Sequence, residues 1–262
     1  MFPAMADSRQ GPATAAPRPV LVVPCYDEAS RLDGPGFARL SLRCDLWMVD
    51  DGSLDRTRSV LDGIAAASQD RIRALSNPRN LGKAETVRVH MLAAIGQGAP
   101  VVGYFDADLA TPVDEMIAIV DLLEAGGAAA VTAARVGLSG RDIRRSGSRH
   151  YFGRVFSTVA SLAIGVPYYD TQCGAKAFRA CDALEAALRD PFRSRWSFDV
   201  ELLGRLLAGA PGVAPVEPRL LVEYPLQAWH DVPGSKLSVA DAWKSAAELL
   251  LIWRDLAARR RR

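Results

Sequence analysis

Two aspartates with one residue between them, Asp106 and Asp108, follow an apolar run in VVGYFDADLATP. If that run is a strand, the alternation of side chains directs both carboxylates to one side of the strand end, where they repel each other. A hard divalent cation such as Mg²⁺ or Mn²⁺ relieves this repulsion and can still accept oxygens from a diphosphate. The pair therefore predicts a metal and diphosphate site, with a solvated acidic turn as the alternative.

Two more polar clusters follow apolar runs. In MVDDGSLDRT, Asp50 and Asp51 stand at a predicted strand end, where a carboxylate can accept a hydrogen bond from a ribose hydroxyl or a base N–H. Asp55 needs no ligand, because it can cap the next helix. Gly82 and Lys83 open an amphipathic helix whose N-terminus attracts an anion, although the spacing of a P-loop is absent.

The elements that must position these residues are five short apolar runs separated by helix-like stretches: PVLVVPC, DLWMVDDG, RIRALSN, PVVGYFDAD and AAAVTAARV. This alternation predicts βαβ units and a mostly parallel central sheet flanked by helices. The runs are continuously apolar, as expected when helices cover both faces of the sheet. Ligands of open α/β sheets bind beyond the carboxyl ends of the strands, so the polar clusters should converge on one crevice.

The composition is that of a globular protein, with 49% hydrophobic and 24% charged side chains in 262 residues. The 32 Lys and Arg residues nearly balance 30 Asp and Glu, which argues against a nucleic-acid partner. We predict a flexible leader over residues 1–18, one domain over residues 19–240 and a C-terminal amphipathic helix with a basic tail over residues 241–262. No CxxC pair, secretory signal or apolar stretch of roughly 20 residues is present, so a cytoplasmic protein without a membrane span is expected.

Seven ordered motifs resemble those of glycosyltransferase family 2, in particular its dolichyl-phosphate (polyprenyl-phosphate) β-glucosyltransferase branch. They are VVPCYDEASRL, DDGSLDRT, NLGKAETVR, DADLATP, DTQCGAKAF, RWSFDVELL and EYPLQAWHDVPGSKLS, and they cover residues 19–240. The resemblance implies a GT-A-type nucleotide-binding fold, a donor of the UDP-glucose type, a divalent metal (Mg²⁺ or Mn²⁺) and inversion at the anomeric carbon.

The resemblance also assigns roles to individual residues. The residues that it implies for donor binding are Pro24, Tyr26, Glu28, Asp51, Lys83 and Asp106. The metal would be held by Asp108, as the more direct ligand, and by Asp106. Asp199 is the first candidate for a catalytic base and Asp170 the second, although either can instead orient a loop. The chain departs from the family pattern at Asp27, where Asn is usual, and at Ala175, where an aromatic residue usually follows the glycine.

A basic stretch after the fifth apolar run is the strongest indication of the acceptor. Its residues Arg145, Ser148, Arg149 and Arg154 are predicted to bind a phosphate, because guanidinium groups fit phosphate oxygens. The alternative is a solvated basic loop. A phosphate acceptor is already largely anionic at neutral pH, so a general base is optional, whereas a hydroxyl acceptor needs a carboxylate such as Asp199.

The C-terminal segment predicts contact with an anionic membrane surface. Trp243, Leu250, Trp253 and Leu256 lie near one helical stripe, and five arginines follow from Arg254 onward. Aromatic side chains beside basic ones suit an anionic bilayer surface, and the apolar stretch after the basic segment could lie in the same surface. A packed terminal helix with a solvated tail is the alternative.

Taken together, these features predict an inverting, metal-dependent hexosyltransferase at the cytoplasmic face of a membrane, which transfers glucose from UDP-glucose to a polyprenyl or dolichyl phosphate. One alternative keeps the donor and replaces the lipid by a soluble acceptor hydroxyl. A nucleotidyltransferase and a module that binds a sugar nucleotide without turnover are further alternatives.

Overall fold

The computed structural model describes residues 17–144, 147–231 and 239–260, and within them seven strands form a central sheet. In chain order the elements are β1 (Val20–Cys25), α1 (Gly34–Ser41), β2 (Asp45–Asp50), α2 (Thr57–Ala66), β3 (Ile72–Ser76), α3 (Lys83–Gly96), β4 (Val101–Phe105), α4 (Val113–Ala125), β5 (Ala130–Ala134), β6 (Asp142–Arg144), α5 (Gly147–Ile164), β7 (Ala175–Arg179), α6 (Asp182–Arg189), α7 (Phe198–Ala208), a 3₁₀ turn (Pro218–Leu220), β8 (Leu221–Pro225), β9 (Ala228–His230) and α8 (Val239–Arg259). The predicted leader lies, except for its last two residues, outside the described residues.

The central sheet has the strand order β3-β2-β1-β4-β7-β5-β8. Among the described strands of this sheet, β7 alone runs antiparallel to its neighbours, β4 and β5. This confirms the prediction of a mostly parallel sheet flanked by helices. Because β7 is reversed, its first residues lie at the edge where β1 to β4 end, with Ala175 paired to Phe105. That edge carries the predicted crevice.

Helices cover both faces of the sheet, which explains the continuously apolar strands. Along β1, Val20 and Val22 belong to one hydrophobic cluster, and Leu21 and Val23 belong to another on the opposite face. All four side chains are buried. Successive residues of β1 therefore contribute to the cores on opposite faces of the sheet. If apolar residues alternated with polar ones, the polar side chains would be buried against one of the two helical layers.

The C-terminal half contributes the helices that pack around α7. Helix α8 packs against both α5 and α7, and its Leu249, Ile252 and Leu256 are buried in the core. Leu250 and Trp253 are exposed, whereas Leu256 is buried against α7. The prediction that these side chains share one apolar stripe is therefore wrong for Leu256. The side chain of Trp243 lies outside the described residues.

No helix in the described ranges combines the length and the apolar composition needed to cross a bilayer. The predicted boundaries at residues 19, 240 and 241 stay predictions.

Candidate active site

The edge of the sheet where β4 ends brings together a lysine and two aspartates. The Nζ of Lys83, the first residue of α3, lies 2.5 Å from Oδ1 of Asp106. The same Nζ lies 5.9 Å from the ring centre of Tyr104 and 6.0 Å from that of Phe198. Burial opposes the charge on Lys83, but nearby carboxylates, Asp106 foremost, outweigh this effect and raise its pKa. The lysine is therefore a fixed cation, held by β4 and α7.

Gly174 allows Asp106 to occupy this position. The backbone N–H of Asp106 donates to the carbonyl oxygen of Gly174 at 2.9 Å. A Cβ on residue 174 would lie 1.8 Å from Oδ2 of Asp106, which is far inside van der Waals contact. The motif glycine thus creates the space in which the carboxylate lies.

Asp108 lies two residues after Asp106 and is partly buried. Its Oδ1 accepts a hydrogen bond from the Ala110 N–H at 3.1 Å, and the intervening Leu109 has a φ of 50°, in the left-handed region. Burial, followed by the charge of Asp106, raises the pKa of Asp108. The charge of Asp106 therefore opposes the charge on Asp108, in the sense predicted from the sequence.

These residues fit a divalent cation that shares its coordination with a substrate. In the described part of the chain, no group of three or more His, Cys, Asp and Glu side chains is arranged to hold a metal. Asp106 and Asp108 supply hard carboxylate oxygens of the kind that Mg²⁺ and Mn²⁺ prefer, and a diphosphate supplies the same type of ligand. The donor set suits a cation that binds together with a nucleoside diphosphate.

Asp51 is buried, and its hydrogen bonds hold the loop before α3. Its Oδ1 accepts from Asn77 Nδ2 at 2.7 Å, from the Leu81 N–H at 2.9 Å and from Thr86 Oγ1 at 2.9 Å. Its Oδ2 accepts from the Gly82 N–H at 2.8 Å. The carboxylate fixes the loop that presents Lys83, and its predicted contact with the nucleotide stays a prediction.

The first motif forms the turn after β1. Tyr26 is exposed there, and Glu28 forms a hydrogen-bonded ion pair with Arg31 at 2.6 Å. Burial raises the pKa of Glu28 in spite of this pair. Asp27 has a φ of 53°, and its Oδ1 accepts from the Leu54 N–H at 2.8 Å. Asn and Asp both tolerate this backbone conformation, and both offer an oxygen that can accept this hydrogen bond. Asp can therefore stand where Asn is usual.

Pro24 lies in β1, paired with Val49 of β2, so it belongs to the sheet directly below this turn. Its predicted contact with the donor nucleotide is not tested by this placement. It stays a prediction, as do the donor contacts of Tyr26 and Glu28.

Asp199 is the second residue of α7 and lies against a buried lysine and a buried tyrosine. Its Oδ1 accepts from Lys176 Nζ at 2.8 Å and also from the hydroxyl of Tyr104. Lys176 is completely buried and donates in addition to the Cys173 carbonyl oxygen. Burial, together with the charge of Asp199, raises the pKa of Tyr104 well above its usual value, so the tyrosine remains a donor. The arrangement holds Asp199 as an oriented anion.

Asp170, the second candidate base, forms a bidentate ion pair with Arg135. Its Oδ2 also accepts from the Arg135 backbone N–H at 3.1 Å. The guanidinium in turn lies 5.2 Å from the ring centre of Trp229, and the Asp170 N–H donates to Glu223. These contacts connect the turn before β7 to the residues after β5, and the choice between a base and a loop-orienting residue stays a prediction for Asp170.

The predicted acceptor residues are only partly described. Arg145 lies outside the described residues, and Ser148 and Arg149 lie in α5 with side chains that are also outside them. The Nη1 of Arg154 donates to the Tyr169 carbonyl oxygen at 2.8 Å, and its guanidinium carbon lies 3.9 Å from the Tyr169 ring centre. Phosphate binding by this group stays a prediction.

Three residues of this region, Lys176, Tyr104 and Arg195, are not among the site residues predicted from the sequence. Lys176 stands inside the apolar strand AKAFR, and a lysine in a buried strand is a signal for a buried partner. Tyr104 gave no such signal, because a tyrosine in a buried strand is ordinary. Arg195 precedes the motif tryptophan, and its position over Gly82 depends on a fold contact that the sequence does not show.

Comparison with known proteins places these observations in one family. The family model described as Glycosyl transferase family 2 matches residues 20–183. The chain is 28% identical over 247 residues to dolichyl-phosphate beta-glucosyltransferase ALG5C of Trichomonas vaginalis, with 88% of this chain and 69% of that protein covered. It is 27% identical over 259 residues to dolichyl-phosphate beta-glucosyltransferase of Saccharomyces cerevisiae, with 88% and 73% covered. Against glycosyltransferase AglD of Haloferax volcanii, the identity is 29%, with 97% of this chain but 40% of that protein covered.

Solved structures share the fold. Glucosyl-3-phosphoglycerate synthase from Mycobacterium tuberculosis, in complex with Mn²⁺ and UDP-glucose, has a TM-score of 0.61 and 20% identity, with 91% of this chain and 79% of that one covered. Mannosyltransferase PcManGT from Pyrobaculum calidifontis, in complex with GDP-mannose and Mn²⁺, has a TM-score of 0.54 and 19% identity, with 93% and 64% covered. At these identities the likeness concerns the fold, and it confirms the predicted GT-A type.

Proposed function

This chain belongs to glycosyl transferase family 2, and from that premise we propose that it transfers glucose from UDP-glucose to a polyprenyl phosphate with inversion at the anomeric carbon. That it is a glycosyltransferase follows from the family; the donor, the acceptor and the stereochemistry are the proposal. Two curated relatives described above are dolichyl-phosphate beta-glucosyltransferases. The observation that carries the proposal is the group of Lys83, Asp106, Asp108 and Asp199 at the carboxyl edge of the sheet.

The donor half of the reaction requires stabilisation of the charge that develops on the departing UDP. Lys83 provides a cation that is already held in place by Asp106 and two aromatic rings, so it needs little reorganisation during the reaction. Asp106 and Asp108 would hold a divalent cation, which would supply further neutralisation of the diphosphate when bound. Asp108 is the ligand with fewer competing partners, because Asp106 already pairs with the lysine.

The acceptor half requires a nucleophile on the opposite face of the sugar. A phosphate monoester has a second pKa of about 6, so its oxygen is anionic at neutral pH and attacks without losing a proton. The bond from this oxygen to C1 forms while the bond from C1 to the UDP oxygen breaks, and its electron pair leaves with UDP. Asp199 has one oxygen engaged by both Lys176 and Tyr104, which suits a fixed anion better than a group that must accept a proton.

A polyprenyl chain would be presented at a membrane surface, and the helices α5 and α8 offer a suitable face. They pack against each other and expose large apolar side chains. These are Val155, Val159 and Leu162 on α5 and Leu250, Leu251 and Trp253 on α8. On α8, Glu248 and Asp255 bond to the loop before α7, while Arg254 is exposed. An apolar face with basic residues fits the anionic, cytoplasmic face of a membrane, with Arg154 at the predicted acceptor phosphate.

The test of the proposal offers the purified protein UDP-glucose, Mn²⁺ or Mg²⁺, and a short isoprenyl phosphate. We expect mass spectrometry to find a hexosyl phosphoryl lipid, and NMR to find the β-anomer. A parallel panel contains other sugar nucleotides, soluble hydroxyl acceptors and a nucleoside triphosphate. Failure to consume any sugar nucleotide with any acceptor would defeat the proposal, and pyrophosphate release from the triphosphate would indicate a nucleotidyltransferase.

Asp199→Asn separates the two classes of acceptor. A hydroxyl acceptor that used Asp199 as its base would lose about 10²-fold or more in rate, and we expect transfer to isoprenyl phosphate to fall far less than this. The ratio of the two rates is the measurement, since any loss of folded protein affects both equally. An equal loss for both acceptors would show that Asp199 is not a base for either.

A further inference from the structure

The loop before α7 places an arginine over the start of α3. A Cβ built on Gly82 would lie 2.8 Å from Nη2 and 3.3 Å from Nε of Arg195, so the guanidinium lies directly on the Gly82 backbone. Gly82 has a φ of +86°, which itself favours glycine. The next residue is Lys83, whose amino group pairs with Asp106. Arg195 therefore lies on the backbone directly before the lysine that pairs with the acidic turn.

Arg195 differs from the other arginines of this region in its partners. Arg193 pairs with Asp255 at 3.0 Å, and Arg205 pairs with Glu201 at 2.7 Å. Throughout the ranges that the structure describes, no carboxylate pairs with Arg195, and the residue is exposed. An accessible guanidinium without a counter-ion is suited to bind an anionic ligand, and its fork matches phosphate oxygens in a bidentate way.

We propose that Arg195 binds the diphosphate of the nucleotide donor and stabilises it as it departs, together with Lys83. This inference rests on the proposed function, because it requires that a nucleoside diphosphate binds at Asp106 and Asp108. The two cations have distinct roles. Lys83 is fixed by an ion pair inside the site, whereas Arg195 approaches the start of α3 from the loop before α7 and is exposed.

The C-terminal helix sets the position of this loop. The Oε2 of Glu248 in α8 accepts from Ser194 Oγ at 2.5 Å and from the Ser197 N–H at 3.0 Å. Glu201 in α7 accepts from the backbone N–H of Ser194 at 3.1 Å. Arg195 lies between these fixed points, so Glu248 is a positioning residue for it. The helix with the apolar outer face is thus connected to the diphosphate through one carboxylate.

The first experiment measures binding of UDP, GDP and uridine in the presence of Mn²⁺ by isothermal titration calorimetry. We expect Arg195→Ala to weaken UDP binding about 10- to 100-fold, the range for one or two charge-assisted hydrogen bonds, and to leave uridine binding unchanged. Arg195→Lys should recover part of the loss. Arg219→Ala is the matched control, because Arg219 is an exposed arginine in the 3₁₀ turn before β8. That turn lies at the edge of the sheet opposite to the one where β1 to β4 end.

The outcomes separate this inference from the function on which it rests. If the wild-type protein binds neither UDP nor GDP, the proposed donor chemistry fails and this inference fails with it. If the wild-type protein binds UDP and Arg195→Ala binds it equally well, the role of Arg195 is overturned while the proposed function stands.

A double-mutant cycle tests the positioning role of Glu248. We expect Glu248→Ala to weaken UDP binding several-fold in the wild-type background and to have no further effect in the Arg195→Ala background, because the two residues act through one contact. A purely structural role of Glu248 would give the same loss in both backgrounds. Additive losses would therefore overturn the positioning role.

Discussion

Two acidic turns leave the same edge of the sheet, and their carboxylates have different surroundings. We call residues 50–55, after β2, the closed turn and residues 106–110, after β4, the open turn. In the closed turn Asp51 is 3% exposed and accepts hydrogen bonds from four residues of one loop and helix. In the open turn the Asp106 side chain is 36% exposed and pairs with Lys83, and Asp108 accepts from the Ala110 N–H.

The difference shows that acids after a buried strand can be held by donors of the protein or left with few of them. What distinguishes the turns is the number of donors that the neighbouring loop supplies. The loop before α3 satisfies Asp51 completely, so that this carboxylate contributes to the fold. Asp106 and Asp108 have few donors, and burial, followed by the charge of Asp106, raises the pKa of Asp108. An external cation would supply a counter-charge to such a pair.

The largest expected effect comes from the open turn. We expect Asp108→Ala to lower kcat/KM by about 10³-fold or more, because it removes the carboxylate best placed to hold the cation opposite the diphosphate. The melting temperature should change little, since the mutation removes a repulsion together with the acceptor of the Ala110 N–H. Steady-state kinetics and thermal denaturation of the same preparation measure both quantities. A variant with near wild-type activity would show that the open turn does not have the ligand-binding role that separates it from the closed turn.

Gly174→Ala tests the space in which Asp106 lies. The added Cβ would be 1.8 Å from Asp106 Oδ2, so the carboxylate must move by an ångström or more. A misplacement of this size lowers activity by about 10²-fold. Gly63→Ala in α2 is the control, because a Cβ there meets no atom within 4 Å and Ala favours the helix. Wild-type kinetics of Gly174→Ala would mean that Asp106 does not need its present position.

In the closed turn, a mutation should reduce stability first. Asp51→Asn replaces Oδ2 or Oδ1 by an amide that faces N–H donors, so at least one buried donor loses its acceptor. We expect a loss of about 1–3 kcal/mol in the free energy of unfolding, measured by urea denaturation. Asp108→Asn, which leaves no buried donor without an acceptor, is the matched variant and should unfold like the wild type. Equal stabilities of all three proteins would remove the contrast.

The smallest effect is expected at Asp27, which joins the turn after β1 to the closed turn. Asp27→Asn should change stability by less than about 0.5 kcal/mol, because Asn adopts the same positive φ and keeps the oxygen that accepts from the Leu54 N–H. Asp27→Ala lacks that oxygen and should be clearly less stable by the same urea measurement. A marked loss for Asp27→Asn would show that the charge itself is needed there.

Local patterns in the sequence determined the frame of this protein. The five apolar runs became β1 to β5, and the polar clusters after them met at one edge, since hydrophobic burial and the direction of parallel strands are encoded residue by residue. The motifs by themselves also indicate the family. They located Asp106, Asp108 and Lys83 in one place because each lies directly at the end of a strand or the start of a helix.

Only the tertiary structure decided which of the acidic residues are satisfied. The burial of Asp51, the contact of Asp199 with Lys176 and the position of Arg195 on Gly82 each join residues that are 23 to 113 positions apart, so no local pattern contains them. The same holds for the reversed strand β7, which brings Gly174 to Asp106. Spacing in the sequence shows where a charged side chain follows a strand. Whether that side chain bonds to the protein or remains available to a ligand depends on the donors that distant segments place around it.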